Sequence, residues 1–329
     1  MAPRRVRIAG LGTFLPAEVV TSARLDAELG FPLGFIERKT GVRERRRAQA
    51  ETTIEMAVSA AQVALARSGL EAGDLDLIVT AQSVGEQAIP CTASLLQRAL
   101  GVQGMPCFDL NSTCLGFLTA MDVAAQGIAA GIYRSALVVC SEKPSIGIDW
   151  RHWESSTLFG DGAAAAVLTP TAQGDPSAIL TSRMETYSEG ADYTTVLGGG
   201  TLHHPNMPET TPQMNLFHMD GRRVFRLAGK HMGPFLERLH APLPLEERGC
   251  DMLIPHQASL FPIKQLSARF GYDEARVFLN LPTRGNCVAA SIPIALCEAV
   301  QCGRIQRGSR VTLIGSGAGL SLAGMLLIY

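Results

Sequence analysis

The chain has 329 residues, enough for two domains or one large duplicated one. Hydrophobic residues make up 47% and charged residues 18%, so a large core can be buried, and a net charge of −1 gives no pull toward nucleic acid or an anionic membrane. No run of about 18 uninterrupted apolar residues marks a membrane span, and the eight cysteines form no CxxC pair, which argues against zinc and for reduced thiols in the cytoplasm.

Arg5 to Leu11 reads as a first strand, followed by a turn from Gly12 to Pro16. Arg4, Arg5 and Arg7 mimic the start of a secretion signal, but Gly10, Gly12 and Pro16 interrupt the apolar run. Thr21 to Gly30 is polar. Arg43, Arg45, Arg46 and Arg47 form a basic cluster, expected as a solvated strand or loop, or as a patch for phosphates. Ile54, Ala57, Ala61 and Leu65 predict a helix from Thr53 to Ser68. Asp76 to Ala81 is a strand apolar enough for a parallel sheet covered on both faces. Pro90 breaks the chain, and a helix follows from Thr92 to Leu100.

Met105 to Leu110 reads as a short strand and Leu118 to Gly127 as an apolar helix, so Cys114 falls at the strand-to-helix junction between them. Unpaired N–H groups at a helix N-terminus stabilise a thiolate, which predicts a lowered thiol pKa. By itself the stretch fits a small core hydrophobe equally well. The strand Ala136 to Cys140 and a tight turn from Phe159 into small residues ending at Leu168 complete a strand–helix alternation.

Residues 187–221 form a long loop, a length usually kept for function. It holds His203, His204 and His218, but no acidic or cysteine partner stands at metal-ligand spacing. Alternation then resumes: a helix from Arg222 to Leu239, a strand Asp251 to Ile254 ending in Pro255-His256-Gln257, a helix Phe261 to Phe270, and a strand Val277 to Asn280. Gly285-Asn286-Cys287 precedes a helix from Ala289 to Gln301. A strand Arg310 to Ile314 leads into the glycine turn 315–319, and a last strand runs from Leu320 to Tyr329. The second half thus repeats the layout of the first without a letter-by-letter repeat. Residues 114, 256, 286 and 317–319 all fall at junctions or turns, where α/β sheets build their sites.

A cysteine, a histidine and an asparagine suit a hydrolase triad, but the glycine turn would then go unexplained. Acyl transfer from a thioester uses every part. The thiolate takes the acyl group, and the backbone N–H groups of Cys114 and Ala318 receive its oxyanion. His256 and Asn286 donate to a second thioester carbonyl as charge builds on it, in a site that keeps water out.

Six motifs in order carry a resemblance along the whole length: Gly10 to Pro16, Thr40 to Arg46, Cys114 to Phe117, Phe159 to Ala163, Pro255 to Ala258, and Gly285-Asn286 with Ala289 to Pro293. Together they resemble β-ketoacyl-acyl-carrier-protein synthase III, of the thiolase superfamily. The resemblance implies a five-layered αβαβα fold of two similar halves, here 1–170 with the cysteine and 171–329 with His256 and Asn286. It implies a homodimer, no cofactor or metal, and acyl-coenzyme A or acyl-carrier-protein thioesters as substrates. Cys114 would be acylated, and His256 and Asn286 would promote decarboxylative condensation with a malonyl-type thioester in fatty acid or polyketide biosynthesis.

The departures concern the donor. Phe35 and Lys39 stand where coenzyme A users often carry tryptophan and arginine, and Trp153 falls at a second nucleotide-gripping arginine, with Arg151 nearby. Ser259 replaces an asparagine, and Phe261 a carrier-docking arginine. Ile89, Met219, Gly221, Phe225 and Ser259 are expected along the acyl arm, with Arg45, Arg46 and Arg47 offered to an acidic carrier. A biosynthetic thiolase is disfavoured because Ser321 lies where it needs a second cysteine. Two alternatives stay open: an acyltransferase to an alcohol or amine, and a silent partner subunit, which the intact Cys114, His256 and Asn286 disfavour.

Overall fold

A computed structural model describes residues 3–245 and 248–329. The first half runs β1 (Val6–Phe14), β2 (Glu18–Thr21), α1 (Ser22–Leu29), α2 (Phe35–Thr40), β3 (Glu44–Arg47), α3 (Thr53–Ser68), β4 (Leu77–Ala81), α4 (Thr92–Ala99), β5 (Cys107–Leu110), α5 (Gly116–Ala129), β6 (Ala136–Glu142), α6 (Trp153–Ser156) and β7 (Gly162–Pro170). The second runs β8 (Ala178–Thr186), β9 (Thr194–Thr195), β10 (His218–Met219), α7 (Gly221–His240), β11 (Met252–Pro255), α8 (Leu260–Arg269), α9 (Leu281–Arg284), α10 (Ser291–Gln301), β12 (Arg310–Gly317) and β13 (Ser321–Ile328).

The two main sheets are ordered β1-β7-β6-β4-β5 and β8-β13-β12-β11. Each is antiparallel at its first two pairings and parallel at its third. The fifth strand of the second sheet is reduced to a single parallel bridge between Leu253 and Val277. The expected strand from Val277 to Asn280 is therefore corrected to one paired residue. The sheets are mixed rather than wholly parallel, because β7 and β13 return beside their predecessors. The first strand and β12 also run further than expected, through Gly12 and through Gly317. Unbranched glycine lets the backbone stay extended there while a neighbour presses close.

One apolar cluster joins side chains of both sheets to α5 and α10, so these helices form the middle layer. A second joins α3 and α4 to the outer face of the first sheet. A third joins α7 and α8 to the outer face of the second. The result is the five-layered αβαβα arrangement. Small residues make it dense: a side chain at Gly12 would lie 2.1 Å from the Ala60 carbonyl of α3, and one at Gly10 2.1 Å from that of Ala64.

The repeat extends to the turns that feed the central helices. A 3-10 turn, Thr113–Leu115, enters α5, and another, Val288–Ala290, enters α10. Each opens on a non-glycine residue in left-handed backbone, Thr113 at φ 51° and Val288 at φ 50°. A β-branched residue adopts that region only when its surroundings force it. In each turn an asparagine two residues upstream receives the strained residue's N–H: Asn111 Oδ1 at 3.0 Å and Asn286 Oδ1 at 2.9 Å. Asn286 is thus the second half's counterpart of Asn111, and Ala289 stands where the first half has Cys114.

Candidate active site

Strand β12 brings two of the three candidate residues together, and the Asn286 turn joins them. His256 follows β11 and its N–H donates to the Ile314 carbonyl of β12 at 2.7 Å. A side chain at Gly315 would lie 2.8 Å from His256 Cβ and 3.1 Å from Leu115, the residue after Cys114. One at Gly317 would lie 2.8 Å from Thr113 Oγ1, the residue before it. These glycines let the Cys114 turn and the histidine share one strand. Ala318 follows at once, in the hairpin between β12 and β13. The Asn286 turn closes the group, since a side chain at Gly116 would lie 3.4 Å from Ala289 Cβ.

Asn286 is 8% exposed. Its Oδ1 receives the Val288 N–H and, at 3.4 Å, the Ser291 hydroxyl, while its Nδ2 is a donor without a partner among the described residues. Its backbone is held from the first half: its N–H donates to Leu158 at 2.7 Å, and Gly160 N–H donates to its carbonyl at 3.1 Å. His256 is 4% exposed, and its Nδ1 is buried without a partner. Burial lowers its pKa from 6.5 to about 4, so the ring is neutral near pH 7.

The Cys114 thiol corrects an expectation. Burial, then the Glu142 carboxylate, push its pKa up to about 12, while its own backbone N–H pulls the other way. The helix-end effect is present and desolvation outweighs it, so the resting group is a thiol.

Around this centre the other expected residues divide. Phe35, Trp153 and Phe31 form one aromatic cluster, with Phe35 and Trp153 ring centroids 5.0 Å apart. Lys39 Nζ lies 5.9 Å from the Phe35 centroid. Met219 ends β10 beside Gly221, which begins α7. Ser259 immediately precedes α8. Phe225 lines a groove of about 580 Å³ between α7 and α8, together with Arg226, Lys230, Gln265 and Arg269. Ile89, by contrast, is 84% exposed.

Arg45 is also corrected. It is buried, and donates to the Val20 carbonyl, the Ser22 hydroxyl and, at 2.6 Å, the Thr157 carbonyl. Burial lowers its pKa to about 10. It braces the segment that holds Asn286 and does not face a partner. Arg46 reaches the Pro16 and Ala17 carbonyls, and Arg47 lies over Trp150. Glu142 escaped the sequence reading. Its one signal in the sequence is a carboxylate just after the apolar run that ends at Cys140-Ser141. Among the described residues no group of His, Cys, Asp or Glu is arranged to hold a metal, and no helix is long and apolar enough to cross a membrane.

Two repeated α/β halves, with a neutral imidazole and an unpaired amide gathered around one thiol turn, define a thiolase-like acyl-transferring enzyme. Profiles of the 3-oxoacyl-(acyl-carrier-protein) synthase III family match residues 108–188 and, for its C-terminal part, 243–329. The chain is 34% identical over 323 residues to a β-ketoacyl-(acyl-carrier-protein) synthase III of Aquifex aeolicus, covering 98% of this chain and 99% of that one. A relative of the same description from Symbiobacterium thermophilum is 36% identical, covering 99% of both chains. The crystal structure of the Aquifex aeolicus synthase superposes with a TM-score of 0.88 over 98% of this chain and 100% of that one, at 33% identity. A synthase III from Pseudomonas aeruginosa gives 0.88 over 99% and 98%, at 31% identity. The chain therefore belongs to the β-ketoacyl-acyl-carrier-protein synthase III family, and it is an acyltransferase of the ketosynthase III type, a condensing enzyme.

Proposed function

We propose that Cys114 carries the acyl group and that His256 and Asn286 run the condensation. Cys114 Sγ attacks the thioester carbonyl of the donor, and its proton passes to neutral His256 and on to the departing thiol. The oxyanion is received by the backbone N–H groups of Cys114 and Ala318. A malonyl-type thioester then loses carbon dioxide. Its enolate oxygen accepts hydrogen bonds from the His256 ring and from Asn286 Nδ2, and its carbon attacks the acyl group, releasing Cys114. The observation that carries this reading is the pair of partnerless groups on either side of the Cys114 turn, the His256 ring beside β12 and Asn286 Nδ2 on the turn that abuts Gly116. No metal or bound cofactor enters these steps. We divide the chain at 170/171, giving the nucleophile to one half and His256 and Asn286 to the other, in line with the repeated strand order.

We infer further that the starter arrives on a carrier protein. A planar base sandwiched between two rings needs them about 7 Å apart, at ~3.5 Å per contact. Phe35 and Trp153 already touch at 5.0 Å, and Lys39 supplies a point charge in place of a guanidinium fork. Arg226, Lys230 and Arg269 offer an acidic carrier a cationic groove beside Phe225, from which a thioester arm would pass Met219, Gly221 and Ser259. β5 is an edge strand and leaves one side open for pairing, which favours a homodimer; Ile89, on the nearby 83–91 loop, then serves across that interface. A cytoplasmic setting follows from the free thiols.

Incubation with acyl-carrier protein should add one acyl mass to the Cys114 peptide, faster than the matching acyl-coenzyme A at equal concentration. Label on Cys107 or Cys287 instead would refute the nucleophile. A clear preference for coenzyme A would refute the carrier reading alone. Transfer to an alcohol or amine without decarboxylation would hand the assignment to the transferase alternative.

A further inference from the structure

Glu142 ends β6 and is 4% exposed. Its Oε1 receives the backbone N–H of Ser83 from the first half at 2.8 Å and that of Ala289 from the second at a longer 3.4 Å. Ala289 belongs to the turn that opens with Asn286 and is the counterpart of Cys114. The strand registers make the relation exact to the residue: Leu77 pairs with Ala136 and Met252 with Val311, so Glu142 corresponds to Gly317. At the first turn, then, the strand end contributes a glycine and leaves the Cys114 N–H open to a substrate oxygen. At the second, the same position sends a carboxyl onto the corresponding N–H. The duplicated oxyanion site is filled from within the protein.

We propose that Glu142 is a positioning residue of the condensation site, whose carboxyl clamps the Asn286 turn to the nucleophile half and whose charge, when present, holds back the Cys114 thiolate. The proposal rests on Cys114 being the nucleophile. The titratable groups that act on it or feel its charge are Cys114 and Cys287 on the two turns, Cys140 on its own strand and Asp161 ahead of β7, all neutral or negative. Burial, with Asp161 adding to it, raises the Glu142 pKa to about 8 against the two backbone donors. Below that pH the carboxyl is neutral and a thiolate at Cys114 meets no opposing charge. Above it the two anions oppose each other, and the groups titrate as a pair.

Alkylation of Cys114 by iodoacetamide, followed on its peptide by mass spectrometry from pH 6 to 10, tests this without any acyl substrate, so the result stands apart from the ketosynthase reading. In the wild-type chain the logarithm of the rate should rise with pH, flatten around pH 8 as Glu142 ionises, and rise again. In Glu142→Gln the flattening should vanish, and the ratio of variant to wild-type rate should climb to about fivefold at pH 9 and roughly tenfold by pH 10, the size of a one-unit coupling. A straight wild-type profile, or a ratio independent of pH, overturns the electrostatic role. Glu142→Asp, too short to reach both the Ser83 and the Ala289 N–H groups, should keep the flattening and lose condensation at least tenfold while still accepting an acyl group. Wild-type condensation in Glu142→Asp overturns the clamp. If Glu142→Gln does not fold, the wild-type profile alone decides the electrostatic part.

Discussion

At Cys114 two effects oppose each other. The N-terminal end of α5 favours a thiolate, and burial disfavours it more, so the free enzyme holds a thiol. Reactivity must then come from proton removal during attack, which suits a histidine kept neutral by burial. His256 has a second consequence. Between pH 6.5 and about 4 the unfolded chain binds a proton that the folded ring refuses, so stability is present above 6.5 and is lost as pH falls toward 4. Denaturant midpoints at pH 7 and pH 5 should differ less in His256→Gln than in the wild type; equal differences would place the loss elsewhere. Asn286→Ala removes the unpaired Nδ2 donor. It should lower condensation by roughly 10²–10³-fold, the typical cost of an oxyanion donor, and leave Cys114 acylation in place. Separate assays of the two half-reactions check this, and condensation at the wild-type rate would show that Asn286 holds no developing charge.

Among the elements, β1 and α3 show how small residues set the geometry. Ala60, Ala61 and Ala64 are fully buried on α3, and Gly10 and Gly12 let the helix backbone approach the strand. Gly12→Ala would put a methyl 2.1 Å from a backbone carbonyl and 2.5 Å from a backbone nitrogen, neither of which can rotate away. A destabilisation of about 1–3 kcal/mol is expected from such overpacking, read as a lower denaturant midpoint with an unchanged slope. Arg45 acts at this scale too, because α1, β2 and the Thr157–Gly160 segment all meet its guanidinium or stem. Arg45→Met keeps much of the stem and leaves the Val20 and Thr157 carbonyls without that donor. It should impair condensation more than acylation, since Thr157 adjoins the segment that pairs with Asn286. Equal losses in both half-reactions would mean a general loss of packing.

For the molecule as a whole, one core cluster spans residues from Val6 to Tyr329 and includes both sheets and the two central helices. Neither half can keep that layer dry alone. The halves should therefore unfold together in one transition. Trp150 and Trp153 both lie in the first half, so tryptophan fluorescence reports on it, while far-ultraviolet circular dichroism reports on both. Coincident curves are expected, and two separated midpoints would show halves that fold independently.

The sequence by itself determined the strand–helix alternation, the places where reactive residues meet chain reversals, and the family, because periodicity and ordered motifs are local properties of the chain. Helix α3 is where its apolar spacing places it, and the Cys114 turn sits at the start of α5. What only the tertiary structure decided depends on burial and on neighbours distant in the chain. Arg45 reads as a solvated cation and is sealed inside, because its partners come from residues 20, 22 and 157. The thiol reads as acidic and is not, because desolvation is set by packed layers that no local spacing reveals. Glu142 lies two residues beyond the expected strand Ala136 to Cys140, and its contact with Ala289 joins residues 147 positions apart. The equivalence of Asn111 with Asn286 is likewise held in backbone angles and strand register, and the letters around the two turns have otherwise diverged.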